Sequence, residues 1–325
     1  MKKTLLMLLM VPFFGIAQNQ YSYGFGGVTA DLATAGWVRT NQSTSASTTL
    51  WTISSYATTP TVTTTSNGNP FQTQTYAVGQ TTPIPLGQDG AQNGFALVNF
   101  TSTSSTATSG ATISNWLISP SVTVQNGDVV SFYTRLGKYS ATNAASFADD
   151  LQLRMSTAAT HINPSTGPAD LGSFTNVLVD INPNFNLTSY PASGWTQFTY
   201  TITGLAAPTA VKFGFRYYVI NGGANGSNSD LIGIDTFSVD RTLKTSDFFK
   251  NNFTVYPNPA NDVINVSNLG NLEITKASIT DVNGRIVKEV NSSFETINIS
   301  ELNAGVYFLK INTLEGSGTT KIVKN

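Results

Sequence analysis

Apolar and polar residues alternate along much of this chain. VKFGFRYYV (211–219) sets Val211, Phe213, Phe215, Tyr217 and Val219 on one face and Lys212, Gly214, Arg216 and Tyr218 on the other. That period of two marks a half-buried strand. DLQLRMS aligns Leu151, Leu153 and Met155, and GWTQFTYTI aligns Phe198, Tyr200 and Ile202. DVVSFYTR (128–135) is mixed but rich in β-branched and aromatic residues, which suit strands. Clusters such as NGGANGSNSD (221–230) and INPSTGPAD (162–170) read as loops between them. Near the C-terminus, KASITDVNGRIVKEV (276–290) predicts a hairpin turning at Asn283-Gly284. GVYFLKI (305–311) alternates Val306, Phe308 and Lys310 against Tyr307, Leu309 and Ile311.

No stretch carries a convincing 3.6-residue apolar period with caps. The prediction is therefore all-β: a jelly-roll β-sandwich, then a unit of about seventy residues, the size of a small immunoglobulin-like β-sandwich. Two Ser/Thr-rich segments, 40–66 and 101–112, read as exposed strands and loops, with Trp51, Ile53 and Tyr56 giving the first something to bury.

Composition divides the chain. All five glutamates (Glu273, Glu289, Glu295, Glu301, Glu315) lie beyond residue 245. The reading is a signal peptide at 1–17, a body at 18–241, a linker at 242–252 (within RTLKTSDFFKNN) and a tail at 253–325. Lys2 and Lys3, the apolar run Leu5 to Ile16, and the small residues Gly15 and Ala17 fit an export signal with a mature start at Gln18. No later segment is long and apolar enough to be read as a membrane-spanning helix. With 11% charged residues and a net charge of −1, nothing points to nucleic acid as a partner. The absence of cysteine excludes disulfides, thiol nucleophiles and a lipidated N-terminus, and suits a bacterial exported protein. A single histidine, His161, leaves little scope for a Ser-His-Asp triad or a multi-histidine zinc site. It lies in a Gly/Pro/Asn-rich loop and reads as a surface residue.

YPNPANDVINV, ITDVNGRIVKEV, ISELNAGVYFLKI and TTKIVKN follow one another over roughly 250–325. Together they resemble the type A C-terminal sorting domain of the type IX secretion system of Bacteroidetes. The motif positions are Tyr256, Pro257, Asn258, Pro259, Asn283, Gly284, Arg285, Gly305, Tyr307, Lys310 and Lys321. The resemblance implies passage through the periplasm, reading by an outer-membrane translocon and cleavage by its sorting peptidase. The cargo is then released, or attached to lipopolysaccharide at the outer surface.

In the body, GWV (36–38), GFALVNF (94–100), NWLISPSVTVQNGDVVSFYTR (115–135), DDLQLRMST (149–157), GWTQFTYTITGL (194–205), VKFGFRYYV and LIGIDTFSV (231–239) occur in this order. The set resembles the choice-of-anchor J family, kin of cleaved adhesin domains, which implies a jelly roll. Where that family often reads I-D-D, this chain has Ile234-Asp235-Thr236. By strict alternation Asp235 shares a face with Phe237 and Val239, so its carboxylate needs a partner there: Ca²⁺, an arginine or backbone N–H groups. Asp230 and Asp150 are the other candidate calcium ligands. Asp149 and Asp150 are expected at a solvated strand end, pointing to opposite faces. Tyr139, Trp195 and Tyr218 are candidate outward aromatics for stacking on sugar rings, whereas Trp37 and Trp116 read as core. The expected function is that of a non-catalytic adhesin exported by type IX secretion, binding an extracellular glycan or protein. The alternatives are a structural surface or matrix component, and a secreted hydrolase that would have to use aspartates distant in sequence.

Overall fold

In a computed structural model of the chain, residues 17–57, 61, 71, 77–107, 110–137, 147–242, 245–314 and 316–325 are described. Tyr139 lies outside them. One compact unit spans Asn19–Arg241 and a second holds Thr242–Asn325.

The body's elements are β1 (Ala17–Tyr23), α1 (Thr29–Thr34), β2 (Val38–Asn41), β3 (Thr52–Ile53), β4 (Ala96–Asn99), β5 (Ala111–Ile118), β6 (Val122–Val124), β7 (Val129–Leu136), β8 (Leu151–Ser156), β9 (Asn176–Ile181), β10 (Thr196–Thr201), β11 (Thr209–Gly222) and β12 (Leu231–Thr242). They form two six-stranded sheets. The first runs β10-β7-β12-β4-β3 with β1 beside β12, and the second runs β2-β5-β11-β8-β9 with β6 beside β11. The inward residues of both fill one core. Val211, Phe213, Phe215, Tyr217 and Val219 meet Phe132, Ile232, Ile234, Phe237 and Val239 there. Trp37 and Trp51 are buried in the same core, and Trp116 packs with Phe174 in a smaller cluster of its own. Gly214 is required beneath that cluster, since a Cβ would come within 3.1 Å of the Trp116 ring. Helix α1, one and a half turns long, departs from the all-strand expectation; it buries Leu32 in the core.

Strand β12 breaks strict alternation. Ile232 and Ile234 face the core, Thr236 adopts φ +49°, and Phe237 and Val239 then face the core again. The register against β7 shifts between Asp235 and Ser238, as a β-bulge requires. Asp235 therefore does not share the face of Phe237 and Val239, which corrects the alternation argument. It lies on the outer face of the first sheet.

The C-terminal unit comprises α2 (Thr245–Asn252), β13 (Phe253–Tyr256), β14 (Val263–Asn268), β15 (Ile274–Asp281), β16 (Ile286–Val290), β17 (Thr296–Asn298), β18 (Gly305–Thr313) and β19 (Ser317–Lys324). A three-stranded sheet, β13-β14-β17, and a four-stranded sheet, β16-β15-β18-β19, enclose a core of Ile264, Val266, Ala277, Ile279, Leu309 and Ile311 with their neighbours. The hairpin at Asn283-Gly284 forms, with Gly284 at φ +81°. The stretch read as a linker holds α2, whose Phe248 and Phe249 are buried in this core. Gly316 and Gly318 make room for them: a Cβ on Gly318 would lie 2.8 Å from the Phe249 Cβ.

Candidate functional site

The three aspartates named as candidate calcium ligands occupy three different surroundings. Asp235 is fully buried. Its Oδ2 accepts the backbone N–H of Gln88, and its Oδ1 accepts that of Thr236 at 2.6 Å. Thr236 Oγ1 also bonds Gln88 Oε1 at 3.0 Å. Burial pushes the Asp235 carboxyl up to about 6, and the two N–H groups pull against it. Among the options open to this residue, backbone N–H groups take both oxygens, so it clasps the 87–94 loop to β12.

Asp230 lies beside Asp149. Asp149 Oδ1 accepts the Tyr217 hydroxyl and, at 2.8 Å, the backbone N–H of Asp230, while Oδ2 has no hydrogen-bond partner among the described residues. Burial raises Asp149 to about 6, and burial with the Asp149 charge raises Asp230 to about 8.

Asp150 neighbours Asp180, Gln152, Arg154 and Arg216 on the outer face of the second sheet. Neither of its oxygens has a well-formed hydrogen bond among the described residues. Burial first, then the Asp180 carboxylate, push its carboxyl up to about 9 against the pull of Arg216. Asp149 and Asp150 thus face opposite ways, but both are buried and neither is a solvated strand end. No group of three acidic or histidine side chains converges on one point among the described residues.

The arginines here are committed to the fold. Arg216 donates to Ser114 Oγ, Gln152 Oε1 and the Pro168 carbonyl; Arg154 donates to Gln152 Oε1 and the Phe174 carbonyl. Tyr218 is half-buried, with the Arg216 guanidinium 3.8 Å from its ring centroid. Trp195 is also half-buried: its indole N–H bonds the Leu86 carbonyl, and its ring packs 5.4 Å from Phe95. Each ring leans on a neighbour and stays partly exposed. His161, read as a surface residue, is half-buried, with its Nδ1 2.9 Å from Ser156 Oγ.

A cleft of about 410 Å³ opens beside β3 and β4. Thr49, Thr52, Asn99 and Thr101 line it with Leu50 and Leu97, and Arg39 is the one charged side chain among the described residues on its wall. Arg39 Nη1 is tethered to the Trp51 carbonyl at 2.8 Å. Sequence reading missed this cleft because its residues come from a Ser/Thr-rich stretch and a distant strand, with no shared period.

In the tail, most motif residues hold the fold. Asn258 Nδ2 donates to the Lys321 carbonyl and Oδ1 accepts the Val323 N–H, each at 2.9 Å. Asp281 accepts the N–H groups of Asn283 and Arg285 and pairs with the Arg285 guanidinium at 3.2 Å. Tyr307 donates its hydroxyl to the Asn303 carbonyl. Gly305 begins β18.

By its fold the chain is an all-β protein of two units, a large two-sheet sandwich and a small one. Residues 254–325 match the family model of the secretion system C-terminal sorting domain. The chain is a type IX secretion cargo, sent to the cell surface or outside. Similar solved structures include the K3 cleaved adhesin domain of Lys-gingipain from Porphyromonas gingivalis W83, at 13% identity over 68% of this chain and 98% of that one, TM-score 0.37. The K1 cleaved adhesin domain of the same protein has 14% identity over 69% and 98%, TM-score 0.35. The adhesin domain of Epf from Streptococcus pyogenes has 10% identity over 70% and 75%, TM-score 0.27. Likeness at this level transfers no property of those proteins to this chain. No curated protein matches the chain.

Proposed function

We propose that the body is a non-catalytic adhesion module, carried outside the cell by the sorting domain, that binds an extracellular glycan or protein. One observation carries this reading: the aspartates best placed by sequence for chemistry are enclosed in the fold. Asp235 is held by two backbone N–H groups, Asp149 by Tyr217 and Asp230, and Asp150 lies under the Arg216 network. A general acid–base pair has to reach a bound substrate. The cleft beside β3 and β4 supports the glycan option, since hydroxyl and amide groups with apolar walls suit a sugar, and its volume is that of an ordinary ligand site.

The test is adhesion of cells that export the full chain, compared with cells exporting Arg39→Gln and Thr101→Val variants, on immobilised saccharides and matrix proteins. Adhesion reduced by both variants supports the glycan reading. Adhesion unchanged by them removes the cleft from it. Hydrolysis of any of these ligands, lost in an Asp→Asn variant of the body, overturns the non-catalytic reading.

A further inference from the structure

The two outer faces of the sorting domain differ in chemistry. On the three-stranded sheet, Phe253, Val255, Ile264, Val266 and Ile297 turn inward. The outward positions are then Thr254, Tyr256, Val263, Asn265, Ser267, Thr296 and Asn298; Tyr256 and Val263 are exposed there too, and no charged residue stands among them.

On the four-stranded sheet, the cross-strand register places Ile286, Thr280, Phe308 and Lys321 in one row from edge to edge. The neighbouring row pairs Val306 with Val323. Ile286 is 53% exposed, Phe308 39% and Val306 37%. An aromatic and several aliphatic side chains left in water on one sheet face mark a contact surface. Lys321 is exposed beside Phe308. The nearest acidic side chain on this face, Glu289, is neutralised by Lys276 at 2.6 Å. The patch is apolar at its centre and cationic at its rim. Its complement is an apolar surface rimmed with carboxylates.

The motif residues support the same division. Asn258, Asn283, Arg285 and Tyr307 hold turns and strand edges through hydrogen bonds within the domain. Folding accounts for them. Folding does not account for Phe308, Ile286 and Lys321, whose side chains leave the core.

We propose that the outer face of the four-stranded sheet, centred on Phe308 and Ile286 and rimmed by Lys321, is the surface that the type IX translocon reads, through an apolar, acid-rimmed partner surface. This rests on the assignment of residues 254–325 as the sorting domain.

The experiment measures the exported fraction of the full chain in a type IX-competent host. Five chains are compared: unsubstituted, the double variant Phe308→Ser with Ile286→Ser, the charge reversal Lys321→Glu, its conservative counterpart Lys321→Arg, and a deletion of 254–325. A control, Asn265→Asp with Thr296→Ser, alters the other face. The double variant and the charge reversal are each expected to lower export by about tenfold or more, a loss typical of central contact residues. Lys321→Arg and the control are expected to export normally. Resistance of the periplasmic chain to protease shows that each variant is folded; Lys321→Glu also reads the surface without disturbing the core. If the deletion is retained while both face variants export at the unsubstituted level, the docking surface is wrong and the sorting assignment stands. If the deletion itself is exported, the sorting assignment fails.

Discussion

The carboxylate of Asp235 accepts the backbone N–H of Gln88, a residue 147 positions earlier in the chain. Thr236 closes the second half of the clasp through its own N–H. A loop on the sheet surface is thereby fixed by one side chain from the strand below it.

Asp235→Asn replaces one acceptor oxygen with an amide that faces N–H donors. The variant is expected to lose about 1–3 kcal/mol of stability, the cost of leaving buried donors unsatisfied. Urea unfolding of the full chain measures it. The loss is expected to be the same with calcium and with chelator, because both oxygens already have partners.

Asp149, Asp230 and Asp150 are all raised, chiefly by burial, from an ordinary value of 3.8 to about 6, 8 and 9. The native state therefore holds protons that the unfolded chain releases. The stability linked to them is complete below about 3.8 and is lost as pH climbs through the folded values. Thermal melts are expected to show the body weakening from about pH 4 to pH 9, most steeply between pH 4 and pH 6, where all three groups contribute. Asp150→Asn cannot ionise and is expected to flatten the upper part of this slope. At pH 9 it should be more stable than the parent, because its neutral amide avoids the desolvation cost of the buried carboxylate.

Phe249→Ala should cost the C-terminal unit about 3–5 kcal/mol, the usual loss for a buried phenylalanine. Gly318→Val should be comparably harmful, because its side chain enters the space of Phe249. Limited proteolysis of this unit reads both. The helix α2 lies before the segment matched by the family model, so a tail cut at residue 254 should be less stable than one cut at 245.

Much of this was legible in the chain itself. The five inward residues of 211–219 and the Asn283-Gly284 hairpin follow from period and turn chemistry, and both form. The bulge at Thr236 was not legible, because a single left-handed residue leaves no trace in an alternating pattern and reverses the face of everything before it. Helix α2 was hidden for a different reason. Two adjacent phenylalanines in a short polar stretch make no helical stripe, and the glycines that accommodate them lie about seventy residues later. The buried acids Asp149 and Asp150 looked like a solvated strand end, since what covers them comes from distant segments such as Tyr217 and Asp180.

The account rests on the C-terminal unit being an address that acts without the body. The most direct measurement is the location of an unrelated periplasmic reporter fused to residues 245–325 and expressed in a type IX-competent host beside the chain lacking those residues. The account predicts that the reporter reaches the cell surface or the medium while the truncated chain stays in the periplasm. A reporter retained in the periplasm with its tail folded, or a truncated chain exported at the full-length level, would contradict it.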